Sequence, residues 1–216
     1  LKNDGIELVI TVDCGITSVK EAEWARLNEL DLIITDHHDV PEHLPEAVAV
    51  INPKQNGDKY PFKELAGVGV AFTLARGLQK LTGVPEQGRE KWLLDLVAMG
   101  TICDVMPLVG ENRVLAKFGL IVLSKTRRVG LVALAQSAGI ELEQTKAYHL
   151  GLMFGPRRNA AGRLEHANLS LELIMTKDPI EAQQMAFQLE ELNAQRQLDQ
   201  QRITDEADAA AAAQAD

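Results

Sequence analysis

The chain has 216 residues, 46% hydrophobic and 25% charged, which is the composition of a globular protein with a buried core and excludes a disordered chain. Its 22 basic and 31 acidic residues give a net charge of −9, so it cannot grip nucleic acid over its whole surface; any such contact must be local. No apolar run is long enough for a bilayer, Leu1 to Ile10 lacks the pattern of a signal peptide, and two cysteines point to a reducing cytoplasm rather than a secreted disulfide scaffold.

Glu7 to Val12 (ELVITV) reads as a short β-branched strand that ends at Asp13. Residues 18–30 have helical spacing in Val19, Ala22, Trp24, Ala25, Leu27 and Leu30, with Ser18 placed to cap the start. DLIIT is a second strand, ending at Asp36, and AVAVINP, residues 47–53, a third, closed by Asn52 and Pro53. Strand, helix, strand, loop, strand predicts an α/β fold with a parallel sheet and flanking helices. Runs apolar at every position predict strands buried on both faces.

From Gly67 onward the pattern is mainly helical. Helices are expected over 67–82, stopped by Gly83 and Pro85, then over 90–99, 111–125, 130–138, 147–154 and 168–175. From Ile180 to Asp216 runs one long helical pattern rich in Gln, Glu, Ala and Arg. Its apolar face is too thin to stand alone, so it either leads toward another domain or ends as a frayed helix. The domain reading is a lobe over 1–179 and a connector over 180–216.

Three acidic positions stand out. Asp13 follows the first strand in TVDCGITS, Asp36 opens Asp36-His37-His38 after the second, and Asp104 follows an apolar helix in MGTICDVMPL. In an open parallel sheet the carboxyl ends of the strands line the ligand crevice. A carboxylate buried there without a partner is costly, and metal coordination removes that cost. Carboxylates and imidazoles without clustered thiolates suit Mn²⁺ or Mg²⁺, and the chemistry that fits is two-metal hydrolysis of a phosphate ester. A second constellation is FGPRRNAAGRL, residues 154–164, where Arg157, Arg158 and Arg163 surround small residues that let a ligand approach the backbone.

Together these residues resemble the DHH phosphoesterase superfamily, and within it the RecJ type of single-strand-specific 5′→3′ exonuclease. Asp36-His37-His38 matches the triplet for which the superfamily is named. VDCGITS is similar to its second motif, GTICDVMPLVGENR (100–113) to its fourth, and GPRRNAAGRL to the segment that separates RecJ-type members from those acting on small molecules. The resemblance implies that Asp13 bridges two metal ions and that His37 and Asp104 are ligands. It implies that Asp36 orients a histidine, and that His38 contacts the scissile phosphate or assists proton transfer. Arg157, Asn159 and Arg163 would hold the DNA backbone or help form the site.

It also implies single-stranded DNA as substrate, nucleoside 5′-monophosphates as products, a role in repair and recombination, a single-strand-binding protein as partner and a monomeric state. The superfamily's first motif, D-x-D-x-D-G, is not found in Leu1 to Val12, and its second lobe is not found after Ile180. The chain is therefore expected to be an internal fragment that binds metal weakly and has little nuclease activity alone. Other members of the superfamily act on short oligoribonucleotides, cyclic dinucleotides or pyrophosphate, or serve as non-catalytic replication scaffolds. The arginine-rich segment and the intact candidate ligands favour the exonuclease.

Overall fold

The computed structural model describes residues 1–157, 159 and 167–214. The chain divides into two compact units, Leu1–Leu123 and Ser124–Asp216.

In the first unit, β1 (Leu8–Val12), β2 (Asp31–Thr35) and β3 (Ala49–Ile51) pair in that order as a parallel sheet. The register sets Val12 beside Thr35 and Thr35 beside Ile51. The three strands therefore finish level, and the residues that follow them, Asp13, Asp36 and Asn52, stand in one row at the carboxyl edge. α1 (Val19–Leu27) makes the first crossover. Residues 36–48 make the second without a helix.

Packing departs from the apolar pattern in two places. α1 buries its small residues, Ala22 and Ala25, while Trp24 and Leu27 are exposed, because the helix lies close enough to the sheet to admit only alanines. The strands are not all buried on both faces. β2 is covered toward its end, with Ile34 and Thr35 fully buried, but Leu8, Ile10 and Val12 of β1 are each nearly half exposed. α1 packs on β2 and α2 touches both strands, so the cover is centred on β2 and one face of the marginal strand is left open.

α2 (Gly67–Thr82) ends as expected at Gly83, which is left-handed. It packs on α3 (Leu94–Cys103), and α3 packs closely on α4 (Gly110–Leu123). Leu65, Val70, Phe72, Val97 and Leu115 form the core among them. α3 is apolar nearly all round, as a helix enclosed by its neighbours should be.

The second unit holds α5 (Val129–Ser137), a helical turn Ala147–His149 running into a π-helical stretch Leu150–Phe154, then α6 (Asn168–Met175) and α7 (Pro179–Gln214). Proline fits the first position of α7, where its missing N–H is not needed. α7 packs on α5 and α6 through Ala182, Ala186, Leu189 and Asn193, a single stripe at helical spacing. Residues 201–212 are exposed all round. The first half of this long helix is thus part of the unit's core, and the second half is solvated. No helix among the described residues is long and apolar enough to cross a membrane.

The α3–α4 contact depends on Gly119. A Cβ there would lie 2.2 Å from the Leu94 carbonyl oxygen and 2.4 Å from the Ala98 Cβ. Gly119→Ala is expected to destabilise by about 1–3 kcal/mol through overpacking. Gly77→Ala, where nothing lies within 4 Å, should stabilise by roughly 0.5–1 kcal/mol as alanine replaces glycine in a helix. Opposite shifts in the thermal midpoint would bear out the close packing.

Candidate metal centre

The centre is built by the three strand ends. After β1, Asp13 keeps the ladder by donating its N–H to the Thr35 carbonyl at 3.0 Å, then turns the chain with a left-handed φ of 66°. That conformation is strained for a non-glycine residue and is characteristic of functional turns. The Thr35 hydroxyl donates to the Thr11 carbonyl at 2.7 Å, and the Thr11 hydroxyl donates to the Cys14 carbonyl at 2.7 Å. Both bonds brace the turn.

Asp36 is almost wholly buried. Its Oδ2 accepts the Ile16 N–H at 2.9 Å, reaching across to the turn after β1. Its Oδ1 accepts the N–H of His37 at 2.8 Å and of His38 at 3.3 Å, and lies 2.7 Å from His38 Nδ1. Burial alone would raise the pKa of this carboxyl. The bonds from Ile16, the His38 ring, His37 and His38 outweigh burial and hold it below the ordinary carboxylate range. Ionised Asp36 accepts only, so His38 Nδ1 carries the proton. The same bond raises the His38 pKa; burial opposes this, and the charges of Asp36, Asp13 and Asp104 add to the rise.

The His37 ring is buried and turned the other way. Its Nε2 lies 3.0 Å from Asp13 Oδ1 and 3.4 Å from Asp104 Oδ2, yet neither contact has hydrogen-bond geometry, so the atom is without a hydrogen-bond partner. Burial raises the Asp13 pKa; His37 opposes the rise and the nearby Asp104 carboxylate adds to it. Two carboxylate oxygens converging on an orphaned buried imidazole nitrogen are what a cation would satisfy. Asp13, His37 and His38 each offer a ligand atom within 4.8 Å of the others, and Asp104 adds a further oxygen. The donor set is hard oxygen plus imidazole, which suits Mn²⁺ or Mg²⁺.

Asp104 reaches the site from the end of α3, where its N–H closes the helix on the Gly100 carbonyl at 2.9 Å. Val105 follows with a left-handed φ of 57° and is 87% exposed. A β-branched residue is strained there, so both turns that carry converging carboxylates store strain.

Two asparagines that did not stand out as site residues in the sequence hold these turns. Buried Asn52, at the end of β3, donates to the His38 carbonyl at 2.9 Å and accepts the Lys54 N–H at 2.9 Å. Buried Asn112 of α4 donates to the carbonyls of Glu64 at 2.5 Å and Pro107 at 3.2 Å, tying the loop after Asp104 to the one before α2. Asn52 carried the same signal as Asp13 and Asp36, a polar residue at a strand end. Asn112 lies within the 100–113 segment similar to the fourth motif, but nothing in that likeness marked it as a structural tie.

The structure thus brings together Asp13, Asp36, His37, His38 and Asp104. Arg157 and Asn159 belong to the second unit. Arg157 was expected to hold the DNA backbone or help form the site. Here its guanidinium is committed inside that unit, paired bidentately with Glu190 of α7 and donating to the Met153 carbonyl at 2.9 Å. It is a largely buried internal ion pair, because a planar fork matches a carboxylate as well as it matches a phosphate. Asn159 is helical and exposed. Arg158 and Arg163 lie outside the described residues.

Residues 2–101 match the family described as DHH family, N-terminal domain. This stretch is similar to the amino-terminal domain of DHH proteins. Over 207 residues, 96% of the chain, it is 45% identical to the "Single-stranded-DNA-specific exonuclease RecJ" of Bacillus subtilis (strain 168), and covers 25% of that protein. The chain therefore spans about a quarter of that relative's length. Among solved structures it is similar to RecJ of Thermus thermophilus in complex with Mn²⁺, with a TM-score of 0.78 and 38% identity over 89% of this chain and 28% of that one. The complex of the same protein with Mg²⁺ gives 0.69 and 36%, over 89% and 26%. The parallel sheet with flanking helices is thus the fold of these solved structures.

The bonds to Asp36 set a pH dependence. Because its pKa is lowered on folding, its contribution is complete above the ordinary carboxylate range and is lost as pH falls below about 4. The raised pKa of His38 works in the opposite sense: its contribution is complete below the ordinary imidazole value and fades as pH rises beyond it. Urea unfolding of the metal-free chain across pH should show both slopes. Asp36→Asn, which puts an NH₂ against N–H donors, should cost about 1–3 kcal/mol at neutral pH and flatten both.

Proposed function

We propose that this chain supplies the metal-binding part of a phosphodiesterase that degrades single-stranded DNA from the 5′ end. The observation that carries the reading is the convergence of Asp13 and Asp104 on the orphaned Nε2 of His37. The names of its relatives support the substrate class, and the set of oxygen and imidazole donors supports metal-dependent chemistry.

Asp13, His37 and Asp104 would hold the ion, and the family resemblance implies that Asp13 would also serve a second. A bound Mn²⁺ or Mg²⁺ supplies an acidified water and neutralises charge on the phosphoryl oxygens. The chain's own residues do the rest. Asp36 fixes His38 with its proton on Nδ1 and the ring largely exposed, so Nε2 is the atom offered to substrate. Protonated, that nitrogen donates to a phosphate oxygen; neutral, it accepts a proton. The two asparagines hold the carboxylate and imidazole turns in register, so little reorganisation is needed when substrate binds.

Asn159 and Arg163 are proposed to contact the DNA backbone; Arg157 is left to its pair with Glu190. The exposed half of α7 is proposed as a connector to a further lobe, since solvated helix without an apolar face gains nothing by itself. The setting is a reducing cytoplasm, in keeping with a sequence that has only two cysteines. The working form is a monomer that meets DNA coated by a single-strand-binding protein.

Mn²⁺ titration of the chain tests the centre. Asp13→Asn, His37→Ala and Asp104→Asn should each weaken binding at least about tenfold, the lower end for loss even of groups behind the ligands. Unchanged affinity in all three would remove the reading. In a protein that carries this segment together with the remainder its relatives possess, Asp104→Ala should slow degradation of a 5′-labelled single strand about a hundredfold or more. Cleavage of cyclic dinucleotides but not of long single strands would reassign the substrate.

A further inference from the structure

Gly67 is the first residue of α2, and its backbone is not in the left-handed region that favours glycine. Local conformation therefore does not call for glycine, and alanine is the better helix former. Contact does call for it. A Cβ at this position would lie 2.2 Å from Asp13 Oδ1, 2.6 Å from its Cγ and 2.7 Å from its Cβ. Real Cβ atoms do not approach other atoms so closely. The atom that would be struck hardest, Asp13 Oδ1, is the oxygen 3.0 Å from His37 Nε2.

We infer that Gly67 is a positioning residue for the metal centre: its missing side chain lets the Asp13 carboxylate lie against the start of α2 and so face His37 and Asp104. The residue before it agrees. Ala66, at the N-cap, has no side-chain oxygen for the first N–H groups of the helix. A carboxylate at that end is favoured by the helix dipole. Asp13 cannot yield cheaply, because its left-handed φ and its bond to Thr35 fix the backbone from which the side chain springs. A β-carbon at 67 must then either rotate the carboxylate away from His37 or push the start of α2 off the sheet.

The inference rests on the metal reading for its binding arm only. The contact itself is tested in the metal-free 216-residue chain by a double-mutant cycle in urea unfolding, combining Gly67→Ala with Asp13→Gly. Gly67→Ala is expected to lower the urea midpoint when Asp13 is present and to leave it unchanged or raise it when Asp13 is glycine. Equal effects in both backgrounds would overturn the proposal. Should Gly67→Ala alone fail to fold, a folded double variant supports the contact, and an unfolded one overturns it.

In the binding arm, Gly67→Ala is expected to weaken Mn²⁺ affinity at least about tenfold, as loss of a group behind the ligands does, while Gly77→Ala on the same helix leaves it unchanged. Wild-type affinity in a folded Gly67→Ala variant would overturn the positioning role and leave the metal reading intact. If the wild-type chain binds no Mn²⁺ but the cycle shows coupling, Gly67 still positions Asp13 and the metal reading falls.

Discussion

The buried carboxylate of Asp36 holds the candidate site together. A charge taken out of water is tolerated only when its lone pairs are filled. Here they are filled by Ile16 N–H on one side and by His37 and His38 on the other. One group therefore joins the turn after β1 to the turn after β2 and chooses the tautomer of His38. Asn52 extends the row to the end of β3 by holding the His38 carbonyl. The level register of the three strands makes this chain of contacts possible, since it sets residues 13, 36 and 52 side by side.

Around this fixed row the electrostatics are left unbalanced. Asp13 and Asp104 face one buried imidazole nitrogen, and the Asp104 carboxylate adds to the cost of charge on Asp13. In a chain of net charge −9 such a pocket repels a phosphate. A divalent cation bound there would reverse the local sign, which is the physical link between holding an ion and admitting a phosphate. The strained turns at Asp13 and Val105 fit this design, because strain is kept where the surrounding structure over-determines it.

Much of this was legible in the sequence. DLIIT is β-branched and apolar over most of its length and lies where β2 lies, and the grammar of strand, helix, strand, loop, strand pointed to the parallel sheet. Asp13 and the triplet at 36–38 stood out because charge at a strand end has few structural uses. What was not legible depends on close approach in space. Nothing in the letters around Gly67 shows that Asp13 leans on it. Arg157 and Glu190 share no local pattern, so their internal pair could not be read from the sequence. Asn112 is one polar residue in a helix until its two carbonyl partners are in view. The open face of β1 was hidden because a covered strand and a half-covered one can share the same apolar run.

That open face has a consequence for handling the molecule. Leu8, Ile10 and Val12 form an apolar row on a strand that is marginal in the described sheet. Such a margin is a template for strand addition, and β1 carries no proline, charge or bulge to blunt it. Net negative charge keeps copies apart at long range, but salt shortens that range to about 8 Å near physiological ionic strength. With that repulsion screened, the apolar row on β1 is left open to a second copy of the strand, and warming strengthens apolar contact further.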